Sequence, residues 1–371
     1  MEVNGRAAIL MNAETGRVLY EKNVHLPLYP GSTTKIATAL FALDEKSVEE
    51  IAPVLVSADA LKMKPSKRAK EDFSFPSHWL ESDGTMYGLR PGEKIPLNSL
   101  LYGLILVSGN DAANVIGEAL SGSVPQFMGE LNLYLQNIGC KNTTFTNPHG
   151  LHHPDHKTTA YDLAILMQKG LRNGKFRELF GRQIVQIPST NKRSSHELKH
   201  RNRLLQPGKH YYPKAIGGKT GFHSAAQYTL VAAAKSEDRT LIVVTLGCPR
   251  NDDRYEDAKG LFEAAFNETK VNRVVVPYSQ VYQRSIEGAK SPLRAQLIRD
   301  LHVSYYPAEE PLLKGFVEWL SAELPIAKGA KVGVVRAVDE RGEIVAEADL
   351  LALERVEPTF LHALKKWIFR N

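Results

Sequence analysis

No stretch of this chain is both apolar and long enough to span a bilayer, and its 371 residues include only two cysteines. Cys140 and Cys248 are too few for a disulfide framework. Each follows a glycine and reads as a small buried thiol, with the question of pairing left open. Neither lies in a Cys/His cluster, so no metal site is expected. Internal repeats and low-complexity tracts are absent. The first residues lack a basic segment followed by an apolar one. On the residues alone, the chain reads either as cytoplasmic or as an exported chain without its leader.

What is present is the composition of an ordinary globular protein, with 43% hydrophobic and 24% charged residues. The formal net charge is +6, which favours anionic partners. No RNA-binding aromatic motif, zinc-finger spacing or homeodomain-like helix accompanies that charge, so nucleic acid is not an expected partner.

Three short motifs carry chemistry in a fixed order: Ser32-Thr33-Thr34-Lys35, Ser108-Gly109-Asn110 and Lys219-Thr220-Gly221. A second S-x-x-K, Ser189-Thr190-Asn191-Lys192, follows Pro188 and leads into the polar run Arg193-Ser194-Ser195, which reads as loop. Ser32 instead follows Pro30-Gly31 and opens the apolar stretch Ile36 to Leu43, which reads as a buried helix. Context therefore selects Ser32.

On a helix, Lys35 lies one turn beyond Ser32 on the same face. A serine hydroxyl is a poor nucleophile until a neighbour takes its proton. Lysine does that only when burial or another cation lowers its pKa, and Lys219 is the candidate cation. Ser108 is placed to relay a proton to a leaving amine, and Asn110 to hold an amide oxygen. Glycines around Lys219-Thr220 allow an extended peptide to pair along that strand. Lys219 and Thr220 then offer charge and a hydroxyl to a terminal carboxylate. Taken singly, each motif has a plainer reading: a surface Ser and Lys, a helix cap, a glycine-rich turn.

Along the chain, Arg6 to Asn12 and Arg17 to Glu21 predict a β-hairpin. Helical patterns are expected from Ser32 to about Phe180. Strands are expected at Ala215 to Phe222, Tyr228 to Ala234 and Leu241 to Gly247, followed by a helix from Asp252 to Asn267. Strands at both ends of a helical middle predict one antiparallel sheet closed by the two ends of a domain. The expected organisation is a catalytic domain over residues 1–268, a smaller β-rich domain over 271–357, and a terminal amphipathic helix over 358–371. In that tail Phe360, Leu361, Ala363, Leu364, Trp367, Ile368 and Phe369 fall at helical spacing, interrupted by Lys365, Lys366 and Arg370. The expectation is a helix lying on an anionic membrane surface; the alternative is one docked on its own protein.

The three motifs match the set known from penicillin-binding proteins and class A β-lactamases. Ala13 to Tyr20, Ser108 to Ala113, and Asn147-Pro148-His149-Gly150-Leu151 extend the match across nearly the whole chain. The chain resembles the low-molecular-mass penicillin-binding proteins, in particular the serine D-alanyl-D-alanine carboxypeptidases. The resemblance implies an α/β (α+β) fold of the serine β-lactamase/transpeptidase type, an antiparallel sheet flanked by helices, with a smaller β-rich C-terminal domain. It implies acyl transfer on the peptidoglycan stem pentapeptide through Ser32, loss of the terminal D-alanine, and acylation by β-lactams. It also implies Lys35 and Ser108 as catalytic groups and Asn110, Lys219, Thr220 and Gly221 as substrate contacts. The N–H groups of Ser32 and Phe222 become the oxyanion donors, and Arg201 helps hold the substrate carboxylate. No metal or organic cofactor is implied. The location implied is outside the cytoplasm: the periplasm or the outer face of the cytoplasmic membrane, with a peripheral anchor.

Two departures from the family pattern stand out. Gly31 replaces an alanine, and Ala226-Gln227 replaces an Ala-Gly pair. The Lys62 to Lys70 stretch reads as a solvated basic loop. Rival readings are a DD-endopeptidase using the same residues, a class A-like β-lactamase, and a penicilloylated sensor. The lactamase requires a glutamate to activate water, for which Glu130 is the candidate, although it reads as an exposed helix position.

Overall fold

The computed structural model describes residues 2–45 and 52–368, and the chain divides into two units, Met1–Asn267 and Glu268–Asn371.

The first unit is built on a five-stranded antiparallel sheet. Strand β1 (Ala7–Asn12) pairs with β2 (Val18–Lys22). A 3-10 turn, Gly31–Thr34, leads into α1 (Lys35–Glu45). The chain then departs from the helical texture expected of it. From 52 to 96 it is mostly irregular, with two-residue strands β3 (Val54–Leu55) and β4 (Lys94–Ile95) paired to each other. Five prolines in that stretch, Pro53, Pro65, Pro76, Pro91 and Pro96, remove donors and block helix propagation. Helices follow: α2 (Leu97–Ile105), α3 (Asn110–Ser121), α4 (Val124–Asn137), α5 (Ala160–Leu171) and α6 (Gly174–Gly181). A hairpin that the sequence did not announce comes next, β5 (Ile184–Ile187) with β6 (His196–Lys199).

The sheet is completed by β7 (Ala215–His223), β8 (Gln227–Ser236) and β9 (Arg239–Cys248), in the order β2-β1-β9-β8-β7. Helix α7 (Asp253–Phe266) closes the unit. Strands β1 and β9 are buried along their whole length, as expected of strands covered on both faces. Alternate residues divide between two cores. Ile9, Met11, Ile242 and Val244 pack with the helices of the middle segment. Ala8, Leu10, Leu241 and Val243 pack against Tyr255, Leu261 and Phe262 of α7. Cys140 and Cys248 are both free and buried. Burial pushes the Cys248 thiol up to about 12.

The second unit holds β10 (Val271–Val276), β11 (Val281–Arg284), β12 (Leu293–Leu297), β13 (Leu301–Tyr305), β14 (Lys314–Trp319), β15 (Lys331–Val338) and β16 (Ile344–Ala352). Five of them form an antiparallel sheet, β11-β12-β16-β15-β14, over a core that includes Leu293, Leu297, Val335 and Leu350. A terminal helix α8 (Phe360–Ile368) follows, with Phe360, Leu361 and Leu364 exposed. Phe369, Arg370 and Asn371 of the expected amphipathic tail lie outside the described residues.

Candidate active site

Ser32 sits in the 3-10 turn rather than in the α-helix proper. Thr33 and Thr34 donate their hydroxyls to Pro30 O and Gly31 O, at 2.8 and 2.9 Å, which holds the turn tight. Residues three apart eclipse one another in a 3-10 turn. Lys35 is thereby brought over Ser32, and its Nζ stands 3.0 Å from Ser32 Oγ.

Lys35 is wholly buried and has two further acceptors, Asn110 Oδ1 and His149 O, both at 2.7 Å. Burial, reinforced by the charge of Lys219, lowers its pKa well below the ordinary lysine value. A neutral amine keeps two N–H donors and one lone pair. With the donors directed at Asn110 and His149, the lone pair is left for the Ser32 hydroxyl.

Ser108 and Asn110 lie where α2 ends and α3 begins. Ser108 has φ +64°, a left-handed conformation costly for a residue with a Cβ. The junction is over-determined by its neighbours. Gly109 N donates to Gly103 O and Asn110 N to Thr85 O. Asp111 accepts from Tyr87 N and Gly88 N at 2.7 Å and from Leu89 N and Ala112 N at 2.9 Å. Asn110 gives its Oδ1 to Lys35, which reserves the Nδ2 donors for another acceptor.

Strand β7 brings the third motif to the same place. Lys219 is buried, and its Nζ donates to Ser108 Oγ at 2.9 Å and to Thr220 O at 2.8 Å. Burial, then the nearby charges of Arg254 and Arg201, lower its pKa to about 7. Gly221 permits the close approach: a Cβ there would stand 2.8 Å from both Pro30 O and Ser32 N. Gly31 matches it from the other side, with φ +56° and room for a Cβ only 3.1 Å from Phe222 N. The backbone amides of Ser32 and Phe222 thus both border the close approach between the turn and β7. Arg254 fixes this end of β7, donating to Gly221 O at 2.8 Å and Thr229 O at 3.2 Å.

Of the residues singled out in the sequence, Ser32, Lys35, Ser108, Asn110, Lys219 and Gly221 converge directly, with Thr220 partly buried beside them. The Phe222 ring is exposed and stacks on Tyr228 at 4.5 Å, so only its backbone faces the motifs. Arg201 is exposed and makes no side-chain hydrogen bond or ion pair among the described residues, but its charge is felt at Lys219. Glu130 lies on the exposed face of α4, bonded to Ser121 and Gln126. The basic stretch is largely solvated, with Lys62, Lys67 and Arg68 exposed, but two of its lysines are tied down. Lys64 is buried 3.6 Å from Glu81 and donates to Lys70 O, while Lys70 pairs with Asp83.

Other supporting groups escaped sequence reasoning because they act through backbone atoms. In Asn147-Pro148-His149-Gly150-Leu151, Asn147 side-chain atoms bond Gly150 N and Leu151 O. His149 O then accepts from Lys35 and Pro148 O from Thr38. Asp111 falls within the matched Ser108 to Ala113 segment but carried no assigned role, and Arg254 lay in no motif at all. A short acidic side chain directly after the serine motif was the one available sign of a cap.

The comparisons with known proteins agree with this geometry. Residues 1–250 match peptidase family S11, D-alanyl-D-alanine carboxypeptidase. The D-alanyl-D-alanine carboxypeptidase DacF of Bacillus subtilis is 27% identical over 366 residues, 97% of this chain and 88% of that protein. DacC of Escherichia coli is 29% identical over 370 residues, 96% of this chain and 85% of that protein. The crystal structure of penicillin-binding protein 5 from Haemophilus influenzae superposes with a TM-score of 0.64 at 25% identity, covering 96% of this chain and 98% of that one. The chain belongs to the D-alanyl-D-alanine carboxypeptidase family of penicillin-binding serine hydrolases.

Proposed function

We propose that the enzyme works through an acyl-enzyme on Ser32, with the three motifs in the following roles. Neutral Lys35 takes the hydroxyl proton as Ser32 Oγ attacks the carbonyl carbon of the penultimate D-alanine. The N–H groups of Ser32 and Phe222 hold the oxyanion that forms. Collapse breaks the C–N bond, and the leaving D-alanine amine takes a proton relayed through Ser108. Water then attacks the ester, Lys35 removes its proton, and Ser32 is restored. Asn110 Nδ2 holds the amide oxygen of the peptide. Lys219, Thr220 and Arg201 hold the terminal carboxylate, and the peptide pairs along β7 at Gly221.

The observation that carries this reading is the 3.0 Å approach of the buried Lys35 Nζ to Ser32 Oγ. A β-lactam offers the same carbonyl, but its amine stays tethered after ring opening, so the acyl-enzyme turns over slowly. The test is free D-alanine release from diacetyl-Lys-D-Ala-D-Ala by the wild type and by Ser32→Ala. Release lost in the variant together with fluorescent-penicillin labelling supports the reading. Release that persists in the variant overturns it.

From the stem peptide as substrate we infer a location outside the cytoplasm, in the periplasm or at the outer face of the cytoplasmic membrane. We further infer a peripheral anchor through α8, whose Phe360, Leu361 and Leu364 present apolar surface. Co-sedimentation with anionic phosphatidylglycerol vesicles checks this. The full chain is expected to pellet and a chain ending at Pro358 to stay in solution; equal behaviour refutes the anchor.

A further inference from the structure

His156 is buried and has no part in the acyl-transfer steps, yet it is bonded to the serine turn. It lies between α4 and α5 on a segment pinned by backbone pairing. Thr144 and Lys157 exchange hydrogen bonds at 2.9 Å, and Leu28 and Thr158 do so at 2.8 and 2.9 Å. The second pair fastens the segment to the chain that enters the Gly31–Thr34 turn. The ring also stacks on Phe145, with centroids 4.7 Å apart and planes at 15°. Its place beside the turn is therefore fixed from several directions.

The two ends of the hydrogen-bond chain through this ring determine its direction. The Thr146 N–H, which can only donate, stands 3.0 Å from Nδ1, so Nδ1 carries no proton. The proton of the neutral imidazole is then on Nε2, which donates to Thr34 Oγ1 at 2.8 Å. The Thr34 hydroxyl in turn donates to Gly31 O at 2.9 Å. Burial, then the nearby His223, His153 and His152, hold the His156 pKa well below the ordinary histidine value, so the neutral ring persists. Gly150 covers the same two acceptors. Its φ is +90°, and a Cβ there would run into Gly31 O and stand 2.9 Å from Thr34 Oγ1. The glycine backbone thus packs directly against both atoms.

The Gly31 carbonyl shares a peptide plane with the Ser32 N–H, and in a trans peptide the two point in opposite directions. Fixing the oxygen therefore fixes the direction of the N–H. A hydrogen bond to the oxygen also draws electron density through the amide and strengthens the N–H as a donor. A hydroxyl that itself accepts a hydrogen bond donates more strongly, so the links from Thr146 to Gly31 reinforce one another.

We infer, on the reading above in which the Ser32 N–H holds the oxyanion, that His156 is a positioning residue for that N–H, aiming and polarising it through Thr34 and the Gly31 carbonyl. No atom of His156 needs to touch the substrate. Donors aligned in advance with the developing charge lower the barrier without tightening ground-state binding. Acylation and deacylation both pass through an oxyanion, so both steps depend on the alignment.

The test compares His156→Leu with His156→Gln. Both remove the ring acceptor of the Thr146 N–H, so they share that scaffold cost, while only glutamine offers an N–H to Thr34 Oγ1. Removing one oxyanion donor outright costs about 10²–10³-fold. Here the donor stays and loses its alignment, so His156→Leu is expected to lose about 10- to 50-fold in kcat/KM for D-alanine release and in fluorescent-penicillin acylation. His156→Gln should recover most of that loss at a similar melting temperature. Thr34→Val should match His156→Leu, Thr34→Ser should stay near wild type, and the double variant His156→Leu/Thr34→Val should be no slower than Thr34→Val alone. The Thr34 pair carries the test where His156→Leu does not fold. Rates within about threefold of wild type in Thr34→Val, or His156→Gln as slow as His156→Leu, overturn the inference while Ser32→Ala stays inactive. Release that persists in Ser32→Ala overturns the underlying chemistry and the inference with it.

Discussion

Gly221→Ala isolates the contact on which the proposed oxyanion site depends. The new methyl carbon would stand 2.8 Å from Pro30 O and 2.8 Å from Ser32 N, whereas ordinary Cβ contacts begin near 3.4 Å, a deficit of about 0.6 Å. Its third neighbour, Thr229 Oγ1, is committed to Pro30 O at 2.8 Å, so rotating it away breaks a buried hydrogen bond. Strand β7 and the 3-10 turn must therefore separate by several tenths of an ångström. Overpacking of this kind costs about 1–3 kcal/mol of stability. The catalytic cost is larger in proportion, because a misplacement near 1 Å loses about 10²-fold in rate. The assay pairs second-order acylation by fluorescent penicillin with the melting temperature. Acylation is expected to fall about 30- to 100-fold while the fold survives. Acylation within about threefold of wild type would show that the two amides tolerate displacement, and the argument from close approach would fail.

Lys219 titrates near pH 7, because burial and the charges of Arg254 and Arg201 disfavour its cation. Its cationic form, present below that pH, is the one that binds a carboxylate; kcat/KM for a free-acid peptide should therefore fall as pH rises through about 7. The same limb should be absent for the terminal amide, as paired pH profiles will show. Asp111→Ala strips four backbone donors of their acceptor and should cost about 3 kcal/mol or more. Calorimetry should then record a fall in melting temperature of about 6–12 °C. Gln227 is exposed and held at φ +57°, where glycine is unstrained. Gln227→Gly should raise stability by about 0.5 kcal/mol with D-alanine release unchanged, measured by urea titration; a loss of stability would refute the strain.

Short continuous apolar runs bounded by turn residues made β1, β8 and β9 legible, and the three motifs named the groups that converge on Ser32. Outside its basic loop, the stretch from 52 to 96 is irregular where helical patterns were expected to dominate, because its apolar residues satisfy packing through loops pinned by Asp111 and Glu93. Such pinning uses backbone donors far apart in sequence and leaves no periodic trace. The same reason hid His149 and Pro148, whose carbonyls rather than side chains do the work. The second S-x-x-K was correctly read as loop, yet the contacts that fasten it run to Glu93, nearly a hundred positions away. Gln227 filled the position of an expected glycine by adopting the glycine's backbone conformation.

The pairing of β1 with β9 joins residues 7–12 to residues 241–246. Closing a loop of about 230 residues is entropically slow to reward, since no long-range contact forms until the far strand arrives. An N-terminal fragment of this unit can make the β1–β2 hairpin but cannot seat it, and its fully apolar strand stays uncovered meanwhile. Folding must therefore wait for nearly the whole unit to be delivered. During that interval the uncovered apolar strand and its unpaired edge are open to aggregation, a hazard that ends once β9 arrives to cover them.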